Sequence, residues 1–525
     1  MLTKEKSLRV GITIENDEAP FWVNEIAEAI GAIPSIQLIK VSLTGVRKSE
    51  PGIFFRLFAK IDHRLLPGKL SIHSRAKHDL SSNSITLNLR SDNDDLRKLA
   101  KANLDILFHF VDCPLSDSIL NASHLGTYAL QFGDANLPLA YVGFAEWFAQ
   151  QPVTSVKIIQ VKEGQNFNQL ISESITKTDF LSLSRNQTAI FSSAVDLVLT
   201  TLHRLSNSPH SISTREQKIN SKHPPGFVAI VAAFFRLGSR LVNKALNKFF
   251  FIEQWVLLYG DAQKIHSVDI KNFKPIIPPK DRFWADPFIV SQGNKNYLFI
   301  EELPYQTNKG HLSCLVTDRQ GKIEASQKII ETPYHLSYPF IFSYEGKWFL
   351  IPESAENKTV DLYECVSFPF EWRWRRTLLE DIKAYDSTLH FFNNRVWLFC
   401  TVQRSEGGSP NDRLHLYSIE NLLEGKFVPH PMNPIISDPY HARPAGKIFQ
   451  HNGNWYRPSQ VCVPRYGYAL AFNRIDVLNE NEYQETLISQ NLPEEHPFLK
   501  SMHTYNSDGG FTIIDGQIKR FRFLN

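Results

Sequence analysis

The chain is poor in cysteine. Five are scattered through 525 residues (Cys113, Cys314, Cys365, Cys400 and Cys462), with no CxxC pair among them. A disulfide scaffold or a thiolate zinc site needs paired thiols, so both are excluded, and reduced thiols in a cytoplasmic protein are the expectation. Long apolar runs are also lacking. The longest, Gly226 to Phe235, is about half of the roughly twenty residues that a membrane-spanning helix requires. The opening MLTKEKSLRVGITIE has no apolar core of the kind found in signal peptides. Charge of one sign is scarce: 57 Lys and Arg against 54 Asp and Glu leave a net +3, too little to suggest nucleic acid as a partner.

Aromatic residues, in contrast, are plentiful. They make up 12% of the chain, Phe alone occurs 37 times, and hydrophobic residues reach 42%, which suits a β-rich globular protein of two or more domains. Three regions separate by pattern. In residues 1–205 buried strands alternate with helices. The strands are Leu8 to Ile14, Ile36 to Leu43, Leu104 to Val111 and Ser155 to Val161; the helices lie near Phe21 to Ile30 and Ala189 to Leu205. Such alternation predicts an α/β domain with a mainly parallel, Rossmann-like sheet. Residues 206–253 open on a polar, linker-like stretch and continue as a basic amphipathic helix, with Arg236, Arg240, Lys244 and Lys248 at every fourth position. That stripe predicts either an anchored linker helix or peripheral contact with an anionic membrane, at the inner membrane face of a cytoplasmic protein.

Residues 254–525 carry an internal repeat. An apolar strand, a Gly or Asn turn and an aromatic-rich strand recur five times, with the turns placed at Gly293, Gly346, Asn394, Gly453 and Gly516. A period of roughly 50–60 residues with several strands per unit predicts a five-bladed β-propeller. The fifth copy lacks outer strands, and Gln254 to Gly260 can supply one and so close the ring.

Polar residues flank the innermost strands: Asp286, His335, Tyr338, Asp386, Arg443, His503 and Asp508. The ends of the second strands carry Glu301, Glu302, Glu353, Arg457 and Gln460. Propeller geometry brings these ends to one mouth of the central channel. The bland reading of Asp286 and Asp386 is turn capping; that of Arg443 and Arg457 is pairing with nearby acids.

The words WADPF, YLFIEE, HLSYPFIF, IPES, VDLYEC, HPMNP, ARPAG, RPSQ, YGYAL and IIDG follow one another from about Arg282 to Phe523. This segment closely resembles the N-terminal propeller domain of glucosamine inositolphosphorylceramide transferases and their bacterial relatives. In the plant proteins glycosyl transfer is credited to a separate later domain, so the reaction itself is not implied. The architecture is also similar to five-bladed glycosidases and transferases acting on furanosides and pentosides. That likeness implies Asp286, Asp386 and Glu353 as catalytic carboxylates, with one held protonated. His335, Tyr338, Arg443, Arg457, Gln460, His503 and Asp508 become the candidate substrate-binding residues, for a sugar or sugar-phosphate ligand. The likeness is imperfect, since Tyr338 stands where those enzymes often place an acid, and the Glu assignment is open by a blade. No metal and no cofactor is expected.

Leu104 to about Gln169 resembles the core of methionyl-tRNA-type formyltransferases. Gln131 and Gly133 fall near that family's Asn and His, and the later turn VKEGQNFNQ carries no Asp. The resemblance therefore implies the fold without the base that amine attack needs. His124 reads as helix-end structure, and Asp134 as a possible polar contact. Three functions stay open: a carbohydrate-active protein of cell-surface glycan or glycolipid biosynthesis, with glycosyl transferase or glycoside hydrolase-like turnover undecided; a formyl or acyl transferase acting on an amino sugar; and a non-catalytic glycan-binding scaffold.

Overall fold

Alternating strand and helix signals in the first region resolve into one mixed sheet. The structure, a computed structural model, describes residues 7–16, 18–46, 50–68, 75–77, 84–88, 94–113, 115–133, 137–162, 167–207, 215–218, 223–261, 270–405 and 407–523. The chain divides into two units: Met1–Val242 with Ser405–Gly408, and Asn243–Arg404 with Ser409–Asn525.

In the first unit five parallel strands lie in the order Ser84–Asn88, Ile36–Thr44, Leu8–Glu15, Ile106–His109, Thr127–Phe132. The chain thus starts in the middle of the sheet, builds outward on one side, and then on the other. This is the Rossmann-like order, with its switch point between Leu8–Glu15 and Ile106–His109. Val153–Val161, Phe167–Lys177 and Arg215–Lys218 continue the sheet antiparallel. Arg215–Lys218 lies inside the polar, linker-like stretch and forms an edge strand there. The helices Phe21–Gly31 and Leu183–Asn207 bury Trp22, Ile26, Phe191 and Val198 against Val10 and Ile12. Trp22 stacks on Phe191 with ring centroids 5.4 Å apart. A helix Ile53–Leu65 joins this unit, and the boundary between the units falls within the helix Phe227–Phe250.

The second unit is a five-bladed β-propeller. Four blades are four-stranded antiparallel sheets that begin at Arg282, Ser337, Lys383 and Phe449. The fifth takes strands from both ends of the unit. Phe511–Phe521 pairs on one side with Tyr505–Asp508 and on the other with Phe251–Asp261, residue for residue from Phe251 opposite Phe521 to Asp261 opposite Phe511. The strand around Gln254 to Gly260 therefore closes the ring as the sequence predicts, and its ladder leaves no free edge along Phe511–Phe521.

The repeat turns have a common chemistry. Glu345 and Gly346, Asn393 and Asn394, and Asn452 and Gly453 each place two successive residues at φ between 47° and 78°. Two left-handed residues make the mirror-image turn whose twist matches a tight hairpin. In the fifth copy the turn is Gly509–Gly510, at φ 56° and 87°, and not Gly516. Gly516 lies within the strand Phe511–Phe521, where a Cβ would run into the side chain of Leu499. Glycine is needed there for close approach, and the same residue type at a turn-like spacing mimics a turn.

Val256 and Leu258 of the closing strand are buried in one core cluster, and Leu257 in another on the opposite face. Leu258→Ala is expected to lower the unfolding free energy by about 2–5 kcal/mol through lost packing. Denaturant titration measures this. A loss below about 1 kcal/mol would show that the strand lies outside the cooperative unit.

Candidate functional site

Three blades share one irregularity. The innermost strand pairs break register between Ala285 and Phe288, between Ser337 and Phe340, and between Tyr385 and Thr388. Within each break one non-glycine residue takes a left-handed backbone: Asp286 at φ 50°, Tyr338 at 44° and Asp386 at 52°. Bulges of this kind re-aim a side chain, and the strained backbone costs on the order of 1–3 kcal/mol each. The three side chains leave the alternation of their blades and reach residues of other blades.

Asp286 is buried. Its Oδ1 accepts from Thr504 Oγ1 at 2.8 Å and its Oδ2 from Tyr338 N at 3.2 Å. Its own backbone N–H donates to Asp515 Oδ2 at 2.9 Å. Asp386 accepts a two-pronged fork from Arg443, with Nε to Oδ2 at 2.6 Å and Nη2 to Oδ1 at 3.2 Å, and Gln460 Nε2 also donates to Oδ2 at 2.6 Å. Arg443 Nη2 reaches Glu353 Oε2 at 3.1 Å as well, and the Asp386 backbone N–H donates to that same oxygen at 3.3 Å. The faces of Tyr385 and Tyr466 flank the guanidinium, with centroids 5.2 and 4.9 Å from its carbon. Asp386, Glu353, Arg443 and Gln460, from three blades, thus form one hydrogen-bonded cluster, and Asp286 of a fourth blade lies near enough for its charge to act on Glu353.

Its electrostatics separate the acids. Burial, reinforced by the neighbouring charges of Asp386, Glu301 and Asp515, raises Asp286 to about 7, while His503 opposes the shift. Burial, with the Asp386 charge next in weight, lifts Glu353 well above the usual carboxylate range against the pull of Arg443. Burial disfavours charge on His503, but Asp515 and Asp286 outweigh it and raise the imidazole to about 9. The His503 ring lies flat on Trp255, with centroids 4.1 Å apart.

Asp515 organises this side of the cluster. Its Oδ1 accepts the backbone N–H groups of His503 and Thr504 at 3.0 and 2.9 Å, and its Oδ2 accepts that of Asp286 and lies 2.6 Å from His503 Nδ1. Reading polar residues only at strand ends passes over Asp515, because it sits mid-strand; the word IIDG was its only trace. Asp286, His503 and Asp515 bring ligand-type atoms within 4.8 Å of one another. The oxygens of Asp515 already accept three backbone N–H groups, and His503 Nδ1 lies against one of them.

The other candidate residues divide. Tyr338 is fully buried, and its hydroxyl joins Thr388 Oγ1 at 2.8 Å and accepts Gly446 N–H at 2.7 Å, forming a floor across three blades. A Cβ at Gly446 would meet the carbonyl oxygen of Tyr505, so only glycine lets the chain pass there. His335 is more open, with Nε2 3.2 Å from Glu301 Oε1, and Glu301 draws its pKa up although burial opposes this. Glu302 points the other way, into Arg282, Trp284, Ser313 and His311.

Two candidates lie elsewhere. Arg457 is buried against Glu485, two strands away in the same blade, at 2.8 and 2.6 Å, and against the His441 carbonyl. Asp508 sits at the hairpin end of its blade, where it accepts Ser291 N–H at 2.7 Å. In the helix Phe227–Phe250, Arg236 donates to the Phe148 carbonyl, and Arg240 to those of Phe180 and Trp147, each cation lying over an aromatic ring. Lys244 and Lys248 are exposed.

In the α/β unit a cavity of about 440 Å³ opens at the carboxyl ends of Leu8–Glu15 and Ile106–His109, lined by Glu15, Trp22, Arg56 and Asp112 among others. Neither Gln131 nor Gly133 is among its described lining residues. His124 bonds Asn103 through its ring at 2.9 Å. Asp134 lies outside the described residues.

Comparison with known proteins bears on the propeller. Residues 277–509 match the family described as glucosamine inositolphosphorylceramide transferase 1, N-terminal. The chain is 32% identical over 206 residues to glucosamine inositolphosphorylceramide transferase 1 of Arabidopsis thaliana, covering 39% of this chain and 27% of that protein. It is 32% identical over 215 residues to the protein of the same name from Oryza sativa subsp. japonica, covering 40% and 29%. The chain thus spans less than a third of the length of these relatives. Among solved structures, an α-L-arabinofuranosidase from Podospora anserina aligns over 47% of this chain and 95% of its own, at 9% identity and a TM-score of 0.36. The propeller segment is accordingly similar in sequence to the N-terminal region of proteins named for glucosamine transfer to inositolphosphorylceramide.

Proposed function

We propose that the propeller binds a sugar and carries out proton transfer on it, as the carbohydrate-active part of a protein of cell-surface glycan or glycolipid assembly. The observation that carries this reading is the meeting of Asp286, Glu353 and Asp386 from three blades, with burial raising Asp286 to about 7 and Glu353 well above the usual carboxylate range. Glu353, kept protonated, serves as general acid. Asp286, which changes charge near pH 7, serves as base. Asp386 holds Arg443 and Gln460 in place. Two carboxyl groups with shifted proton affinities on either side of a sugar are what acetal chemistry requires. The names of the relatives, which join an amino sugar to an inositol phospholipid, support a carbohydrate substrate.

The charge balance favours a neutral sugar over a sugar phosphate. Arg443 is matched in charge by Asp386 and hydrogen-bonded to Glu353 and Asn411, and Arg457 is matched by Glu485, so neither guanidinium is left for a phosphate. One observation favours a binding-only reading: both Asp286 oxygens already accept hydrogen bonds, which lowers their basicity toward a substrate.

Asp286→Asn and Glu353→Gln separate the two readings. On aryl furanosides, aryl pentosides and nucleotide sugars, each variant is expected to lose about 10²–10⁴-fold in turnover. Sugar affinity, followed by calorimetry, should change little. Activity should rise with pH through about 7, as Asp286 ionises, and fall once Glu353 loses its proton. Sugar binding without turnover in the unmodified chain would leave only the binding reading.

His503 generates a separate expectation. Its folded pKa, about 9, lies above the ordinary 6.5. The folded state therefore holds a proton that the unfolded state has released, and stability is lost as pH rises from about 6.5 through 9. Thermal melts across that range should show a decline, and His503→Gln should flatten it. An unchanged decline in the variant would rule out His503 as its source.

A further inference from the structure

The two helices Ile53–Leu65 and Phe227–Phe250 meet in the α/β unit, where Phe54 and Phe227 pack edge to face at 4.8 Å. Each has an inner face that the core satisfies. Phe55 and Phe58 of the first, and Ile230, Ala233 and Leu237 of the second, belong to one buried cluster. Asp62 pins the first helix in this orientation: its carboxylate accepts Ser182 Oγ at 2.9 Å, Leu183 N–H at 3.2 Å and Ser184 N–H at 2.7 Å.

The outer faces should then be polar, and they are not. Ile53 is 68% exposed, Phe54 50%, Leu57 50%, Phe227 57%, Val228 80% and Phe235 76%. Scattered exposed apolar residues are ordinary, but contiguous ones on paired helices mark an interaction surface. The exposed charges on the two helices themselves have one sign. Arg56, Lys60 and Arg64 are exposed on the first helix, whose only acid is the buried Asp62. The second helix contains no Asp or Glu. Arg56 has a partner in the exposed Glu50 at 3.3 Å, just before the helix.

We propose that this face lies in the interfacial layer of an anionic lipid bilayer, with its Phe, Ile, Leu and Val side chains among the acyl chains and Arg56, Lys60 and Arg64 at the headgroups. Apolar side chains bordered by cations on a surface helix form the pattern of interfacial binding. A second copy of the chain fits less well, because a two-fold contact would set each set of cations against its like. The lipid contact differs from the basic stripe expected in the sequence: Arg236 and Arg240 of that stripe hold carbonyls of the α/β unit, and the exposed aliphatic and aromatic residues make the contact. No described helix is long and apolar enough to cross a membrane. The proposal is independent of any activity in the propeller.

The test is flotation of the full chain with vesicles of phosphatidylcholine alone or with about 30% phosphatidylserine. Binding to the anionic vesicles is expected. Combining Phe54→Ser, Val228→Ser and Phe235→Ser should reduce it at least about tenfold with the thermal transition retained, since these side chains are exposed in the folded state. Combining Arg56→Gln, Lys60→Gln and Arg64→Gln should remove the preference for phosphatidylserine. Failure of the unmodified chain to float, or unchanged flotation of the serine variant, overturns the proposal. So does a concentration-dependent dimer in light scattering that the serine variant abolishes, because the occupant would then be a second copy.

Discussion

One buried carboxylate joins the closure of the propeller to the construction of its centre. Asp515 lies opposite Leu257 in the ladder between Phe511–Phe521 and Phe251–Asp261, the pairing that brings the two ends of the unit together. From that position it accepts the backbone N–H of Asp286 in the first blade and those of His503 and Thr504 in its own. A fully buried carboxylate without such donors would carry a large desolvation cost. With them it ties two backbone segments, at Asp286 and at His503–Thr504, to its own strand. The left-handed turn at Asp286 is thus held by a residue more than two hundred positions away, and the ring must close before the site can form.

The bulges follow from the same constraint. A regular strand directs its side chains to the two faces of its blade, where they pack on neighbouring blades. A residue that is to reach the axis has to leave that alternation, and Asp286, Tyr338 and Asp386 do so at unfavourable φ. Each is then held by bonds to other blades: Asp286 by Thr504 and Tyr338, Tyr338 by Thr388 and Gly446, Asp386 by Arg443 and Gln460. Backbone strain persists only where the surroundings over-determine it.

The propeller was legible in the sequence because its signal is repeated: strand, left-handed turn, aromatic strand, five times. The closing strand was legible from the incomplete fifth copy. Individual positions were less so. Gly516 resembled the turn glycines, yet serves close packing against Leu499, and the turn is at Gly509–Gly510. Arg457 and Asp508 share motif words with residues at the axis, but alternation in a strand sends Arg457 to Glu485, and Asp508 belongs to the hairpin end. Asp515 went unnoticed because a mid-strand acid among apolar neighbours has no local pattern; its partners are distant in sequence. The helix Ile53–Leu65 escapes a periodicity reading for a different reason. Apolar residues occupy both its inner and outer faces, so the contrast between faces that marks a surface helix is missing.

Compensation of charge limits what the axis can select. Burial raises Asp286 and Glu353 because water is excluded, and the same exclusion makes an uncompensated Arg443 untenable. Asp386 and Glu353 therefore take up its guanidinium hydrogen bonds, and Asn411 Oδ1 accepts one more at 2.9 Å. On the opposite side His503 is balanced by Asp515. On the proposed function, a ligand entering this site meets proton donors and acceptors of adjusted strength, with little net field. Discrimination then rests on the placement of hydroxyl groups against fixed partners, where a missing or misplaced hydroxyl leaves a buried polar group unpaired at a cost of about 1–3 kcal/mol. That mode of selection suits a neutral sugar, whose isomers differ in the positions of their hydroxyl groups and not in charge.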